Sequence, residues 1–240
     1  MWEQVKLSQL KPVTIPAEAD TLQKVIVDFL VLEFKIPVEN FNSLNALAVI
    51  LRTSQLSFKD KIAFRENGFS AGVGRDQMWD RVARILRDAG AQQTKAATIL
   101  VVRGLSGDVE VRRLAEERTI FYSSQNSPLK GSTLEPGSIS LNLETLQIPD
   151  KKGACSVIVK PVYRPQTKQG LPVAQERAKA GQLEFDAMAF QLIMSPGDFV
   201  FLKPQRYQKQ QITLDSLLFT DAAAPAAVKT YLIICRGISE

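Results

Sequence analysis

The sequence predicts an α+β fold: a mixed α/β part over residues 1–125, then a predominantly antiparallel β part over 126–240. Three observations predict it. Residues 76–89 carry apolar side chains at helical spacing, residues 138–146 alternate with a period of two, and several apolar runs of strand length fill the second half. The two parts could equally pack as one unit. Lys229–Ile238 is apolar on both faces and reads as a central strand near the C-terminus.

The elements follow in order. Val25–Ile36 is rich in β-branched and aromatic residues and reads as a long, largely buried strand closed by Pro37. A helix with Leu22, Val25, Ile26, Phe29 and Leu30 on one face fits it nearly as well. Residues 40–52 read as a helix capped by Asn42 or Ser43, with Leu44, Leu47, Ala48 and Leu51 as its apolar stripe. Ser57–Glu66 reads as a short helix ended by Asn67-Gly68, glycine taking the left-handed conformation after the last turn. Phe69–Val73 follows as a strand. Asp76 is expected to cap the clearest helix. Trp79, Val82, Ala83, Ile85 and Leu86 form its apolar face, Arg81, Arg84 and Arg87 its basic flank, and Gly90 its end. Strands are expected at Ala97–Arg103, Val109–Leu114 and Arg118–Ser123.

The stretch 123–137 is dense in turn formers and reads as a loop or soft boundary. Beyond it, Ser138–Leu146 sets Ile139, Leu141 and Leu143 against Ser140, Asn142 and Glu144. Ala154–Tyr163 is another strand, Pro165–Gly181 an exposed polar loop, and Leu183–Ser195 a strand or strand pair. Pro196-Gly197-Asp198 is a turn into Phe199–Pro204, the segment 203–211 a polar hairpin connection, and 222–227 a loop of small residues.

Histidine is absent from all 240 residues. That removes Ser-His-Asp and Cys-His catalysis, His-ligated metals and any imidazole switch. An apolar share of 45% with 23% charged residues is enough to bury a core without metals or disulfides. Cys155 and Cys235 lie in apolar runs and read as buried small hydrophobes; a disulfide would need their strands to be neighbours. Val25–Phe34, interrupted by Asp28 and Glu33, is the longest apolar stretch and too short for a bilayer. The N-terminus shows no signal peptide, so the default location is cytoplasmic, or envelope-associated and extracytoplasmic if the chain is processed.

Candidate sites are few. Gly72-Val73-Gly74 precedes a helix, but Gln77 stands where a dinucleotide fingerprint needs a third glycine, so it reads as a turn with a helix cap. Glu116-Glu117, Asp108 with Glu110, and Glu184 with Asp186 are not convincing acid/base pairs. Thirty Lys and Arg against 25 Asp and Glu give a net charge of +5, which admits an anionic partner. The candidate contacts for an anion or nucleic acid are Arg81, Arg84 and Arg87 on the helix over 76–89, and Lys203, Arg206 and Lys209 in the basic loop. Arg81, Arg84 and Arg87, beside Asp80 and Asp88, read first as a solvated face, and no aromatic is interleaved for base stacking. No catalytic residue, cofactor or metal ligand is identified.

One global pattern carries a resemblance. GACSVIVKP at Gly153–Pro161 and FDAMAFQLIMSPGDFVFLKP at Phe185–Pro204 follow a mixed α/β segment. This order resembles secretin-type envelope ring proteins, in which small α/β domains precede a β domain. Gly197 and Phe199–Leu202 match the family's glycine-led turn and strand. Its following Gly-Gly is replaced by Lys203-Pro204, and its amphipathic membrane hairpins are not evident. The resemblance covers about the last hundred residues, implies a scaffold or assembly component, and transfers no functional residue. The expected function is therefore a non-catalytic structural component with a protein partner or self-association. The alternatives are an anion or nucleic-acid binder and a histidine-independent enzyme.

Overall fold

The computed structural model describes residues 25–124, 127–148, 152–166, 181–210, 212–221 and 226–239. Two antiparallel sheets form its frame, with a few helices, an α+β architecture. The first sheet runs β3 (Phe69–Gly74), β12 (Phe199–Pro204), β14 (Ala227–Ser239), β1 (Ile26–Pro37) and β4 (Gln92–Val102), with β13 (Thr220–Asp221) also on β14. The second runs β2 (Ser57–Phe58), β11 (Phe190–Met194), β9 (Cys155–Pro165), β8 (Gly137–Leu146) and β5 (Ser106–Leu114), with β10 (Leu183–Glu184) beside β9. Strands from both halves of the sequence interleave in each sheet.

The sheets face each other across one large core. Val27, Phe29, Val31, Tyr231 and Ile233 meet Ile139, Leu141, Leu143, Val157, Val159 and Leu192 there. A second core lies on the other side of the first sheet, where Leu32, Phe34, Ile36, Phe201 and Leu232 pack under the helical layer. Two covered faces explain why β14 is apolar on both sides: it is the central strand expected from the sequence, paired with β1 and β12. The two charges that interrupt the apolar run of β1 are both paired with β14. Asp28 meets Arg236 at 2.8 Å and Glu33 meets Lys229 at 3.3 Å.

The helical layer differs from expectation at its start. Residues 38–46 form a 3-10 helix, continued by α1 (Leu47–Ile50). The buried positions are Phe41, Leu44, Leu47 and Ile50, a spacing of three, because 3-10 geometry stacks residues i and i+3. Ala48, expected on the stripe, is therefore exposed. Pro37 precedes the first turn, so neither Asn42 nor Ser43 is the cap. The helix expected over 57–66 is shorter: β2 takes its start, Asp60 caps α2 (Lys61–Glu66) by accepting the Ala63 N–H at 2.9 Å, and Gly68 turns the chain at φ 75°.

Asp76 belongs to a 3-10 turn, Asp76–Met78, that leads into α3 (Trp79–Asp88); its carboxylate accepts the adjacent Gln77 N–H, at 2.7 Å. The apolar face of α3 is as expected, with Val82 and Leu86 buried, and the helix ends before Gly90 at φ 67°. The region read as a loop from 123 contains a strand. β6 (Arg118–Ser124) pairs with β7 (Ser127–Leu134) as a separate hairpin. A short helix, α4 (Leu214–Phe219), was not expected. Thr213 and Ser216 form a reciprocal capping box at its start, and all six of its residues are buried. Most of the expected 165–181 loop and of the 222–227 loop lies outside the described residues.

Candidate interaction surface

Strand β4 is the most exposed long element of the frame. It spans eleven residues and, among the described residues, pairs on one side only, with β1. Val101 is buried, and Ala97 and Ile99 pack against the core from the same face. The opposite face carries Leu100 at 66% exposure, next to the β4–β5 turn where Leu105 is 60% exposed. Leu30 and Ile234 beside it pack against the second core and are only partly covered. A free strand edge presents unpaired N–H and C=O groups and is a template for another strand. Lys95 is the only charge in β4, and its Nζ is engaged by the Glu110 carbonyl oxygen at 2.5 Å. The half of β4 beyond it, Ala96–Val102, holds none of the charges that usually protect an edge.

A second feature is a continuous polar lattice across the outer face of the second sheet. Lys59 donates to Asp186 at 2.9 Å; Lys160 bridges Asp186, at 3.5 Å, and Glu184. Gln182 donates to Glu184 at 2.9 Å and accepts from Arg164, whose guanidinium grips Asp108 at 2.7 and 2.9 Å. Asn142 completes the run on Asp108 at 2.7 Å. Burial alone would lower Lys160, but its bonds to Glu184 and Asp186 outweigh it and raise the ammonium above its ordinary value. Burial likewise opposes ionisation of Asp186, and Lys59 and Lys160 outweigh it and hold the carboxyl below its ordinary value. Glu184 and Asp186 thus share one cation and serve as its partners. Asp108 and Glu110 have separate partners, Arg164 and Arg113. Val162, Ser140 and Asn142 are buried on this outer face. Sequence reasoning missed it because its members come from five distant segments.

The glycines of the Gly-x-Gly motif lie inside β3, not in a helix-capping turn. A Cβ on Gly72 would stand 2.7 Å from Leu51 Cβ, and one on Gly74 2.3 Å from the Phe199 ring. They are glycines because neighbouring side chains press onto the strand.

Arg81, Arg84 and Arg87 are exposed along α3, and Arg206 and Lys209 are exposed in the loop after β12. Lys203 is placed differently. It lies within β12 as a buried residue, 8% exposed, with its ammonium 5.4 Å from the centre of the Phe41 ring and 3.4 Å from the Pro204 carbonyl oxygen. Burial lowers its pKa. The strand reaches two residues further into the loop than charge suggests, because β12 lies between β3 and β14 and is covered on both faces. Cys155 and Cys235 are both buried and both free thiols.

No known protein family and no curated protein matches the chain. Solved secretins show a distant likeness. The InvG secretin-domain β-barrel of the Salmonella SPI-1 injectisome is 9% identical at a TM-score of 0.26, covering 90% of this chain and 63% of that one. The Vibrio cholerae type IV competence pilus secretin PilQ is 8% identical at 0.23, covering 90% and 58%. The chain therefore spans less than two thirds of the secretins it matches. They are of the class that the second half resembles in sequence, and at these scores the likeness carries no argument about role.

Proposed function

We propose that this chain is a non-catalytic structural component that associates with a second copy of itself through the β4 edge and the Leu100–Leu105 surface beside it. The observation behind this reading is an eleven-residue edge strand paired on one side, with Leu100 exposed on its uncharged half and Leu105 exposed in the turn after it. With Lys95 as its single charge, the strand offers a second copy little like-charge repulsion, and an antiparallel pair about a two-fold axis is self-complementary. The polar lattice and the buried Lys203 are read as parts of the framework.

The exposed arginines of α3 keep a second reading in view, a surface for nucleic acid or another polyanion. One measurement separates the two: the mass of the purified protein by light scattering on a sizing column, at low and high salt. A discrete oligomer that survives high salt is the expected result. A monomer at every concentration and salt overturns the edge reading. Co-eluting nucleic acid that is lost at high salt replaces it with the anion-binding one.

A further inference from the structure

We propose that Cys155 and Cys235 are a disulfide-forming pair, a modification site that covalently joins the two sheets when the chain meets a thiol-disulfide oxidant. The inference rests on the topology of one corner of the sandwich, independently of the β4 edge. Cys155 opens β9 and stands opposite Met194, the last residue of β11. Four residues later the chain has crossed to the other sheet. There the turn is bonded to Cys235 itself: the Gly197 N–H donates to the Cys235 carbonyl oxygen at 2.8 Å, and the Cys235 N–H donates to the Asp198 oxygen at 3.0 Å. Asp198 also holds the turn by accepting the Ser195 N–H at 2.8 Å. A single short turn, Ser195–Asp198, therefore links Met194, the strand partner of Cys155, to the backbone of Cys235 as the chain passes from one sheet to the other.

The side chains meet there. Both belong to the core between the sheets, Cys155 on the inner face of one and Cys235 on the inner face of the other. Each thiol acts on the other: this mutual effect, with Arg103, favours the Cys155 thiolate against the opposing effect of burial, while it and burial push the Cys235 thiol up. With Arg103 acting on it, Cys155 is taken as the attacking sulfur.

The chemistry balances with a small-molecule disulfide as oxidant. The Cys155 thiolate attacks one sulfur of glutathione disulfide and releases one glutathione thiolate, leaving a mixed disulfide. The Cys235 thiol gives up its proton and attacks the Cys155 sulfur, which releases the second glutathione. Cys155 and Cys235 lose one electron each, and the oxidant is reduced to two thiols. Both cysteines are buried, so exchange takes place during folding or local opening. The bond closes a loop of about 80 residues, and constraining the unfolded chain to that degree raises Tm on the order of 10 °C.

The test is to refold the chain in a glutathione redox buffer, quench with acid, and measure intact mass and alkylation in denaturant. The expected product is a monomeric chain about 2 Da lighter, with neither thiol alkylated and a Tm that falls when dithiothreitol is added. Cys155→Ala removes the redox dependence of Tm. If that variant does not fold, the wild-type mass and alkylation stand alone as the readout. Two alkylated thiols after oxidative refolding, or a disulfide linking two chains, overturns the proposal.

Discussion

The Asn67 side chain and the Ser123 backbone exchange two hydrogen bonds, as two peptide groups would in a sheet. Asn67 donates to the Ser123 carbonyl oxygen at 2.9 Å, and its own side-chain oxygen accepts the Ser123 N–H at 2.9 Å. Its amide also donates to the Ala63 carbonyl oxygen at 2.7 Å, inside α2. One buried amide thus closes the helix and fastens it to β6. Asn67→Ala removes all three of these bonds from a buried site, with an expected cost of roughly 2–3 kcal/mol. Urea unfolding checks it, and a cost below about 0.5 kcal/mol, the level of an ordinary surface change, contradicts the clamp.

Glu33 and Lys229 form a buried ion pair on neighbouring strands, with side chains 8% and 14% exposed. Thr94 donates to Glu33 at 2.7 Å, so the carboxylate has a second partner. Removing one member leaves the other charged and poorly solvated. Glu33→Gln and Lys229→Met are each expected to cost about 3 kcal/mol or more, and the double variant to cost clearly less than their sum. A double-mutant cycle in urea measures the coupling, and additive costs would deny that the pair acts as a unit.

How much of this was legible in the sequence depends on whether a feature is local. β14 could be read from its two apolar faces, α3 from its spacing, and the ends of α2 and α3 from Gly68 and Gly90. The 3-10 helix was misread because Leu44, Leu47 and Leu51 fit a period of 3.6 almost as well as Phe41, Leu44, Leu47 and Ile50 fit one of three. β7 is rich in turn formers, and it forms a strand because β6 supplies its partner. The polar lattice was out of reach, since nothing in the separate segments holding Lys59, Asp108, Lys160 and Glu184 links them before the sheet exists. The free edge of β4 was equally hidden: its residues read as a strand, and only the pairing shows that one side is open.

Lys203 makes stability depend on alkaline pH. Burial lowers its folded-state pKa below the ordinary value of 10.5. Between the lowered value and 10.5 the unfolded chain binds the extra proton, so stability rises with pH across that window. The Lys203 contribution is complete above 10.5 and is lost as pH falls through the lowered value. At neutral pH the ammonium is therefore a net cost, offset in part by the Phe41 ring. Lys203→Met is expected to raise stability at pH 7, and the gain is expected to shrink as pH approaches 10.5. Thermal melts of both proteins across that range test it; a gain that stays constant with pH would assign the effect to packing.

The last prediction concerns the open edge. Leu100 is exposed on a strand whose inner face is already packed, so Leu100→Lys removes little from the core and places a charge where a second strand would dock. Charges of this kind are how natural edges refuse partners. The variant is expected to keep the wild-type Tm within a few degrees and to weaken self-association at least tenfold, about 1.4 kcal/mol. Val49→Lys is the matched control. Val49 is 87% exposed on α1, in the helical layer and off the edge, and the change there is expected to leave association as it was. Sedimentation across a concentration series reads both. Equal weakening by the two variants would point to net charge as the cause, and no weakening by Leu100→Lys would remove β4 from the interface.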